Sequence, residues 1–186
     1  MISKEELRKS INELRRSLKD NEVETISIDI CKIISKIDIY QKSSKILVYS
    51  SINNEVKLDF LVEMALKEGK KVYFPKVNGD KMEFYRINLL AELEVGEFSI
   101  LEPSVCADVY EGDSISCVFV PGTVFGHDFH RIGYGGGYYD RYLAKHSELT
   151  KIGVCYECQM KDEIPFNDFD IDLDIIVNQK EVLYNK

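Results

Sequence analysis

Two short apolar runs, Lys-Ile-Leu-Val-Tyr at 45–49 and Lys-Val-Tyr-Phe at 71–74, enclose a stretch of helical period. Short apolar runs that do not alternate with polar residues suit strands buried on both faces. The helix between them runs to about Lys67, with Phe60, Leu61, Met64 and Ala65 expected inside and Gly69 as its cap. Pro75 is expected to stop the second strand. A strand, a helix and a strand in this order suggest a parallel βαβ unit, and ligands of such sheets bind outside the carboxyl ends of the strands. Ser50–Glu55 and 75–77 would lie on that edge. Glu55 is then either a substrate carboxylate or a first-turn acid favoured by the helix dipole.

The rest of the chain extends this pattern. Residues 3–19 read as a helix with capping-box spacing at Ser3 and Glu6 and a stripe of Leu7, Ile11, Leu14 and Leu18. Lys4, Arg8 and Arg15 lie along one border of that stripe, either as solvated charges or within reach of a ligand at the edge of the core. Residues 22–39 read as a second helix, in which so many β-branched residues leave stability to packing. Strands are expected at 82–87, 116–120, 152–156 and 174–177, and a helix at 137–145. Turns are marked by Gly96, Glu102-Pro103 and Gly112-Asp113. The fold class that follows is α/β: a single three-layer domain with a central, mostly parallel sheet flanked by helices.

At 186 residues one domain is the simplest organisation, and the net charge of −8 opposes general nucleic-acid binding. No apolar run reaches the length of a membrane span, and the charged N-terminus is unlike a signal peptide, so a cytoplasmic protein with no membrane partner is expected, with a monomer as the simplest assembly. Five cysteines (Cys31, Cys106, Cys117, Cys155 and Cys158) are an odd number, which argues for free thiols. Cys155 and Cys158 form a lone C-x-x-C beside a strand rather than at the start of a helix, and read as structural thiols. His127 and His130 read as surface histidines, since no H-E-x-x-H pattern accompanies them.

The stretch Arg131-Ile132-Gly133-Tyr134-Gly135-Gly136-Gly137-Tyr138-Tyr139-Asp140-Arg141 follows the strand ended by Pro121-Gly122. Its glycines permit positive φ and close approach to the main chain, so its N–H groups can form a nest for an anion. The arginines suit phosphate oxygens, and Asp140 is a hard oxygen ligand of the kind magnesium takes beside a polyphosphate. Neither G-x-G-x-x-G nor Gly-Lys-Ser/Thr is present, so a glycine turn packed by tyrosines is the plainer alternative. Asp168, Asp170, Asp172 and Asp174 alternate and in an extended segment would share one side. Asp168 and Asp172 read as solvated surface, whereas Asp174, at the mouth of an apolar strand, could be a second metal ligand beside Asp140.

This loop, with Pro121-Gly122 and Phe125 ahead of it, resembles that of the 5-formyltetrahydrofolate cyclo-ligases, also called methenyltetrahydrofolate synthetases. Lys4 and Arg8, Tyr49 and Glu55, Pro75, Glu102-Pro103, Gln159, Ile164-Pro165 and Asp174 follow in the family's order. Gly126 stands where an aspartate is usual, and Phe129 where a glycine is frequent. The resemblance implies conversion of ATP and 5-formyltetrahydrofolate to 5,10-methenyltetrahydrofolate, ADP and phosphate. It implies ATP binding by Lys4, Arg8 and the run Arg131, Ile132, Gly133, Tyr134, Gly135, Gly136, Gly137, Tyr138 and Tyr139. It also implies Mg2+ at Asp140 and Asp174, folate contacts from Ser50, Glu55, Tyr134 and Tyr138, and catalytic roles for Arg131 and Tyr138. A folate or nucleotide sensor without turnover, and a sugar-phosphate isomerase or acyl-transfer enzyme on a related sheet, are the rival readings.

Overall fold

The computed structural model describes residues 2–96, 99–104, 108–112 and 115–186. Three helices come first: α1 (Lys4–Ser17), α2 (Asp20–Ile34) and α3 (Asp38–Lys42). Then follow β1 (Lys45–Leu47), α4 (Asp59–Lys67), β2 (Lys71–Asn78), β3 (Lys81–Ile87), β4 (Leu93–Val95), β5 (Leu101–Pro103), β6 (Ser116–Val120), β7 (Val124–Gly126) and β8 (Arg131–Ile132). The chain closes with α5 (Tyr138–Leu143), β9 (Thr150–Val154), β10 (Met160–Lys161), β11 (Ile175–Val177) and β12 (Val182–Tyr184).

Seven strands form one sheet in the order β12-β11-β9-β6-β1-β2-β3. The inner five run parallel, and β12 and β3 close the two edges antiparallel. Side-chain alternation divides two cores. Ile46, Val72, Phe119, Ile152 and Val177 face the layer that holds α2, α3 and α4, and Leu47, Tyr73, Val118, Val120 and Ile176 face the layer that holds α5. Cover on both faces explains why the parallel strands read as continuous apolar runs. A small sheet, β10-β7-β8, carries α1, with Leu7 and Ile11 packed against Val124, Ile132 and Ile164. The capping box of α1 forms as expected: the Ser3 hydroxyl accepts from the Glu6 N–H, and Glu6 accepts from the Ser3 N–H.

Several expectations are corrected. The second helix breaks after Ile34, where Ile37 becomes extended and turns into the core, and α3 starts afresh with Tyr40 buried. Pro75 does not stop β2. The pairing with β1 ends at Leu47 opposite Tyr73, so from Phe74 on β2 has β3 alone beside it, and an edge position tolerates a residue without an N–H. Leu14 and Phe60 are exposed, not inside, and the inward place near the end of α1 belongs to Arg15, which is 0% exposed. Glu102-Pro103 lies within β5 rather than in a turn. Cys106 and Asp113 lie outside the described residues. Cys31, Cys117, Cys155 and Cys158 are free thiols. Among the described residues no helix is long and apolar enough to cross a membrane.

The two departures from the family pattern have a structural account. Phe129 has φ 65°, a left-handed conformation that glycine takes without strain. A Cβ on Gly126 would overlap the Asp128 carboxylate, which already fills that space and accepts from the His130 N–H at 3.3 Å.

Candidate active site

Successive connections leave β1 in one direction for β2 and reach β6 on its other side, so the strand order reverses between β1 and β6. The crevice beyond the carboxyl ends at such a reversal is the expected ligand position. A cleft of about 1050 Å³ lies there, at the upper end of the usual range for small-molecule sites. Tyr49 and Ser50 enter it after β1, Pro121 after β6, and Lys4 and Arg8 from the first turns of α1. The glycine loop and α5 form one wall.

Gly135 (φ 102°) and Gly137 (φ 65°) need the left-handed region, which explains glycine at these two places. The loop is tied down at both ends. Arg8 Nε donates to the Gly133 carbonyl at 2.7 Å, and Arg141 Nη1 donates to the Gly136 carbonyl at 2.8 Å. Arg141 also lies over the Tyr138 ring, 4.9 Å from its centre, and the Tyr138 hydroxyl donates to the Gly79 carbonyl in the β2–β3 turn. Tyr138 and Tyr134 therefore sit on different walls, because Tyr134 reaches the opposite way, to Glu55.

Two carboxylates stand beside the loop, each held by a cation. Asp140 Oδ1 accepts from Arg131 Nη2 at 2.9 Å and from the Ile171 N–H at 3.2 Å. Asp170 accepts from Lys4 Nζ at 2.5 Å and from the Asn167 N–H at 2.8 Å. Burial opposes ionisation of Asp170, but the hydrogen bonds from Lys4 and Asn167 outweigh it and hold the carboxyl below its ordinary value.

Asp174, the second carboxylate expected here, is not in the cleft. It lies beside the first residues of β9 and β11, at the amino edge of the sheet. Its carboxylate accepts from the Lys151 N–H at 2.7 Å and faces Lys151 Nζ at 2.9 Å. The alternation that linked the four aspartates breaks because 167–170 is a turn closed by the Asp170 N–H on the Asn167 carbonyl. That turn swings Asp170 inward, a position no spacing rule indicated. Asp174→Asn is accordingly expected to leave turnover within about threefold of wild type and to lower stability by about 1 kcal/mol, read from kcat and a urea melt. Asp168 is exposed, and Asp172 pairs at the surface with His130 at 2.8 Å. His127 is exposed, as expected, whereas the His130 side chain is largely covered, stacked 3.6 Å from the Phe166 ring.

The other end of the cleft is built around Glu55, which is 5% exposed. Its Oε1 accepts from the Tyr134 hydroxyl at 3.1 Å and its Oε2 from the Ile52 N–H at 3.0 Å. Burial pushes its carboxyl up to about 7; the Ile52 N–H, the Arg15 guanidinium and the Tyr134 hydroxyl each pull it down. Burial also raises the Tyr134 hydroxyl. Ser50 donates to the Leu101 carbonyl, which fastens the β4–β5 hairpin over the cleft, and buried Glu102 accepts from the Val77 N–H at 3.3 Å. The structure thus gathers every sequence-predicted site residue except Asp174 along one cleft, and adds Asp170 and Glu102 to its lining, with Arg15 buried behind Tyr134.

A cation would meet oxygen donors here, from Asp140 and Asp170. Among the described residues no three His, Cys, Asp or Glu side chains cluster into a cage. Carboxylate oxygens are the donor type that magnesium takes, one or two at a time, with phosphate oxygens and water completing its shell.

Comparison with known proteins agrees with the geometry. The model of the 5-formyltetrahydrofolate cyclo-ligase family matches residues 1–179. A probable 5-formyltetrahydrofolate cyclo-ligase of Schizosaccharomyces pombe is 30% identical over 201 residues, covering 99% of this chain and 98% of that protein. The 5-formyltetrahydrofolate cyclo-ligase of Escherichia coli K12 is 27% identical over 143 residues, covering 74% of this chain and 79% of that one. Among solved structures, the 5,10-methenyltetrahydrofolate synthetase of Aquifex aeolicus superimposes with a TM-score of 0.87 at 34% identity, covering 97% of this chain and 92% of that one. That of Mycoplasma pneumoniae gives 0.77 at 28% identity, covering 96% and 100%.

Proposed function

The chain belongs to the 5-formyltetrahydrofolate cyclo-ligase family, a family of ligases, and from that premise we propose that it converts 5-formyltetrahydrofolate and ATP to 5,10-methenyltetrahydrofolate, ADP and phosphate, with magnesium. The observation that carries this reading is the arrangement of the cleft. A glycine loop flanked by arginines, with the Asp140 and Asp170 carboxylates beside it, lies at one end and the buried Glu55 carboxylate at the other, on the two sides of one sheet reversal.

The formyl group on N5 is an amide, and its oxygen is a poor leaving group. Transfer of the γ-phosphoryl to that oxygen makes it a phosphate ester on an iminium-like carbon; N10 attacks that carbon and gives up its proton, the C–O bond breaks and phosphate departs. Little covalent chemistry falls to the protein, which must align two ligands and neutralise charge. The N–H groups from Gly133 to Gly137 and the Arg131 guanidinium hold the phosphates, and Lys4 and Arg8 reach the nucleotide from α1. Asp140 and Asp170 would hold magnesium, which supplies charge neutralisation at the phosphates. Glu55 accepts N–H bonds from the pterin edge, Tyr134 and Ser50 line that side, and Tyr138 closes the opposite wall.

The test is near-ultraviolet absorbance of the methenyl product. It should rise with 5-formyltetrahydrofolate, ATP and magnesium together and stay flat when ATP or the metal is left out. Product formation without ATP would remove the phosphoryl-transfer reading. Binding of both ligands with no product would point to a sensor instead.

A further inference from the structure

We propose that Arg15 is a positioning residue for the folate half of the site: its guanidinium fastens together the three segments that frame Glu55 and matches the charge of that carboxylate. The proposal rests on the reading that Glu55 accepts N–H bonds from the pterin.

Arg15 projects from the last turn of α1 into the protein interior and is 0% exposed. Its nitrogens are divided among separate segments. Nε donates to the Asn53 carbonyl at 3.0 Å, in the turn that carries Glu55. Nη1 donates to the Gly122 carbonyl at 3.3 Å, in the turn after β6, and Nη2 donates to the Tyr134 hydroxyl at 2.5 Å, in the glycine loop. A planar guanidinium can aim donors in several fixed directions at once, which an ammonium cannot.

Two features show that the arrangement is directed at Glu55. Asn53 and Asn54 have φ of 50° and 57°, so the turn just before Glu55 runs through the left-handed region on two non-glycine residues. Such a turn persists where its surroundings hold it. Arg15 holds it from both ends of the residue, since Nε binds the Asn53 carbonyl and the Arg15 carbonyl accepts from Asn54 Nδ2 at 3.2 Å. The second feature is charge. Arg15 Nη1 is 3.8 Å from Glu55 Oε1, which also accepts from the Tyr134 hydroxyl that Arg15 itself binds. Among the described residues, the other titratable groups that feel the charge of Glu55 are hydroxyls: Tyr134 from the loop, which donates to it, Tyr139 from α5, Tyr49 beyond β1 and Tyr156 beyond β9. Burial raises all four, so they stay neutral where the enzyme works, and Arg15 supplies the positive charge. A carboxylate that must accept two N–H bonds has to be ionised, and removing the cation beside a buried carboxylate favours its proton.

The experiment compares wild type, Arg15→Gln and Arg15→Lys. Steady-state kinetics are measured from pH 5.5 to 9, and the Glu55 carboxyl is titrated by carbon-13 NMR without ligands. In wild type, kcat/KM for 5-formyltetrahydrofolate should rise with pH as Glu55 ionises. Arg15→Gln should move that limb and the NMR titration upward together by about one pH unit or more. It should also raise the folate KM about tenfold or more while the ATP KM stays within about twofold. Arg15→Lys keeps the charge and should restore most of the pH limb; should the glutamine variant not fold, the lysine variant carries the test through its smaller upward movement and selective folate KM. An unmoved limb, or folate and ATP KM rising together, overturns the proposal. Absence of methenyl product from wild type would instead overturn the reading of the site, and a Glu55 titration that still moved in Arg15→Gln would leave the link between the two residues standing.

Discussion

Replacing Asp140 with asparagine is expected to lower kcat with saturating ATP and magnesium by about a thousandfold, the scale seen when a group that meets developing charge is removed. Asparagine keeps the shape and one acceptor oxygen, so the Ile171 N–H at 3.2 Å retains its partner. What disappears is the negative charge opposite Arg131, whose side chain is 5% exposed and lies 2.9 Å from Asp140 Oδ1. On the proposed function the site then loses a hard anionic oxygen for magnesium, and the buried guanidinium loses its counter-ion in the unliganded protein. Both losses fall on the phosphate end. Folate binding without ATP should therefore stay within about twofold of wild type, and the magnesium concentration for half-maximal rate should rise at least about tenfold. The measurements are a magnesium titration of the rate and equilibrium binding of 5-formyltetrahydrofolate. A kcat within a few-fold of wild type, with an unchanged magnesium titration, would take Asp140 out of the metal site.

The same region shows which parts of the structure can be read from local pattern. The parallel strands were legible because burial on both faces leaves an apolar run with no alternation, as at Ile46–Val48 and Cys117–Val120. The glycine loop was legible because backbone demands select residue type directly: Gly135 and Gly137 have positive φ. Pro75 misled because its effect depends on the neighbour across the strand, and β1 ends one residue too early for the missing N–H to matter. The burial of Arg15 and the inward place of Asp170 were not legible for a related reason. The partners of Arg15 are 38, 107 and 119 residues away in sequence, and Lys4 meets Asp170 across 166. A border arginine and a row of aspartates have the same local appearance whether they face water or a cleft. Asp174 matched the family order and still lies outside the cleft, because the turn at 167–170 decides which aspartate points inward.

Glu55→Gln is the substitution for which stability and activity should move in opposite directions. Burial raises the Glu55 carboxyl from an ordinary 4.5 to about 7, so the folded protein binds this proton more tightly than the unfolded chain does. The contribution to stability is therefore complete below about pH 4.5 and is lost as pH rises through about 7. Glutamine resembles the protonated form: it keeps acceptor oxygen for the Tyr134 hydroxyl or the Ile52 N–H and carries no charge to desolvate. At pH 8 the variant should be more stable than wild type by about 3 kcal/mol, and at pH 4.5 the difference should shrink to within about 1 kcal/mol. Urea melts of both proteins at the two pH values measure this. Kinetics should show the reverse. An amide presents one acceptor oxygen and no charge to the pterin edge, and losing about 3 kcal/mol of charge-assisted hydrogen bonding corresponds to a rise of about a hundredfold in folate KM, with ATP KM little changed. A variant less stable than wild type at pH 8 would make Glu55 a structural acid whose partners outweigh its burial. If the variant is instead more stable and poorer at holding folate, the buried charge destabilises the free protein and is retained because the substrate's N–H groups complete its hydrogen bonds on binding.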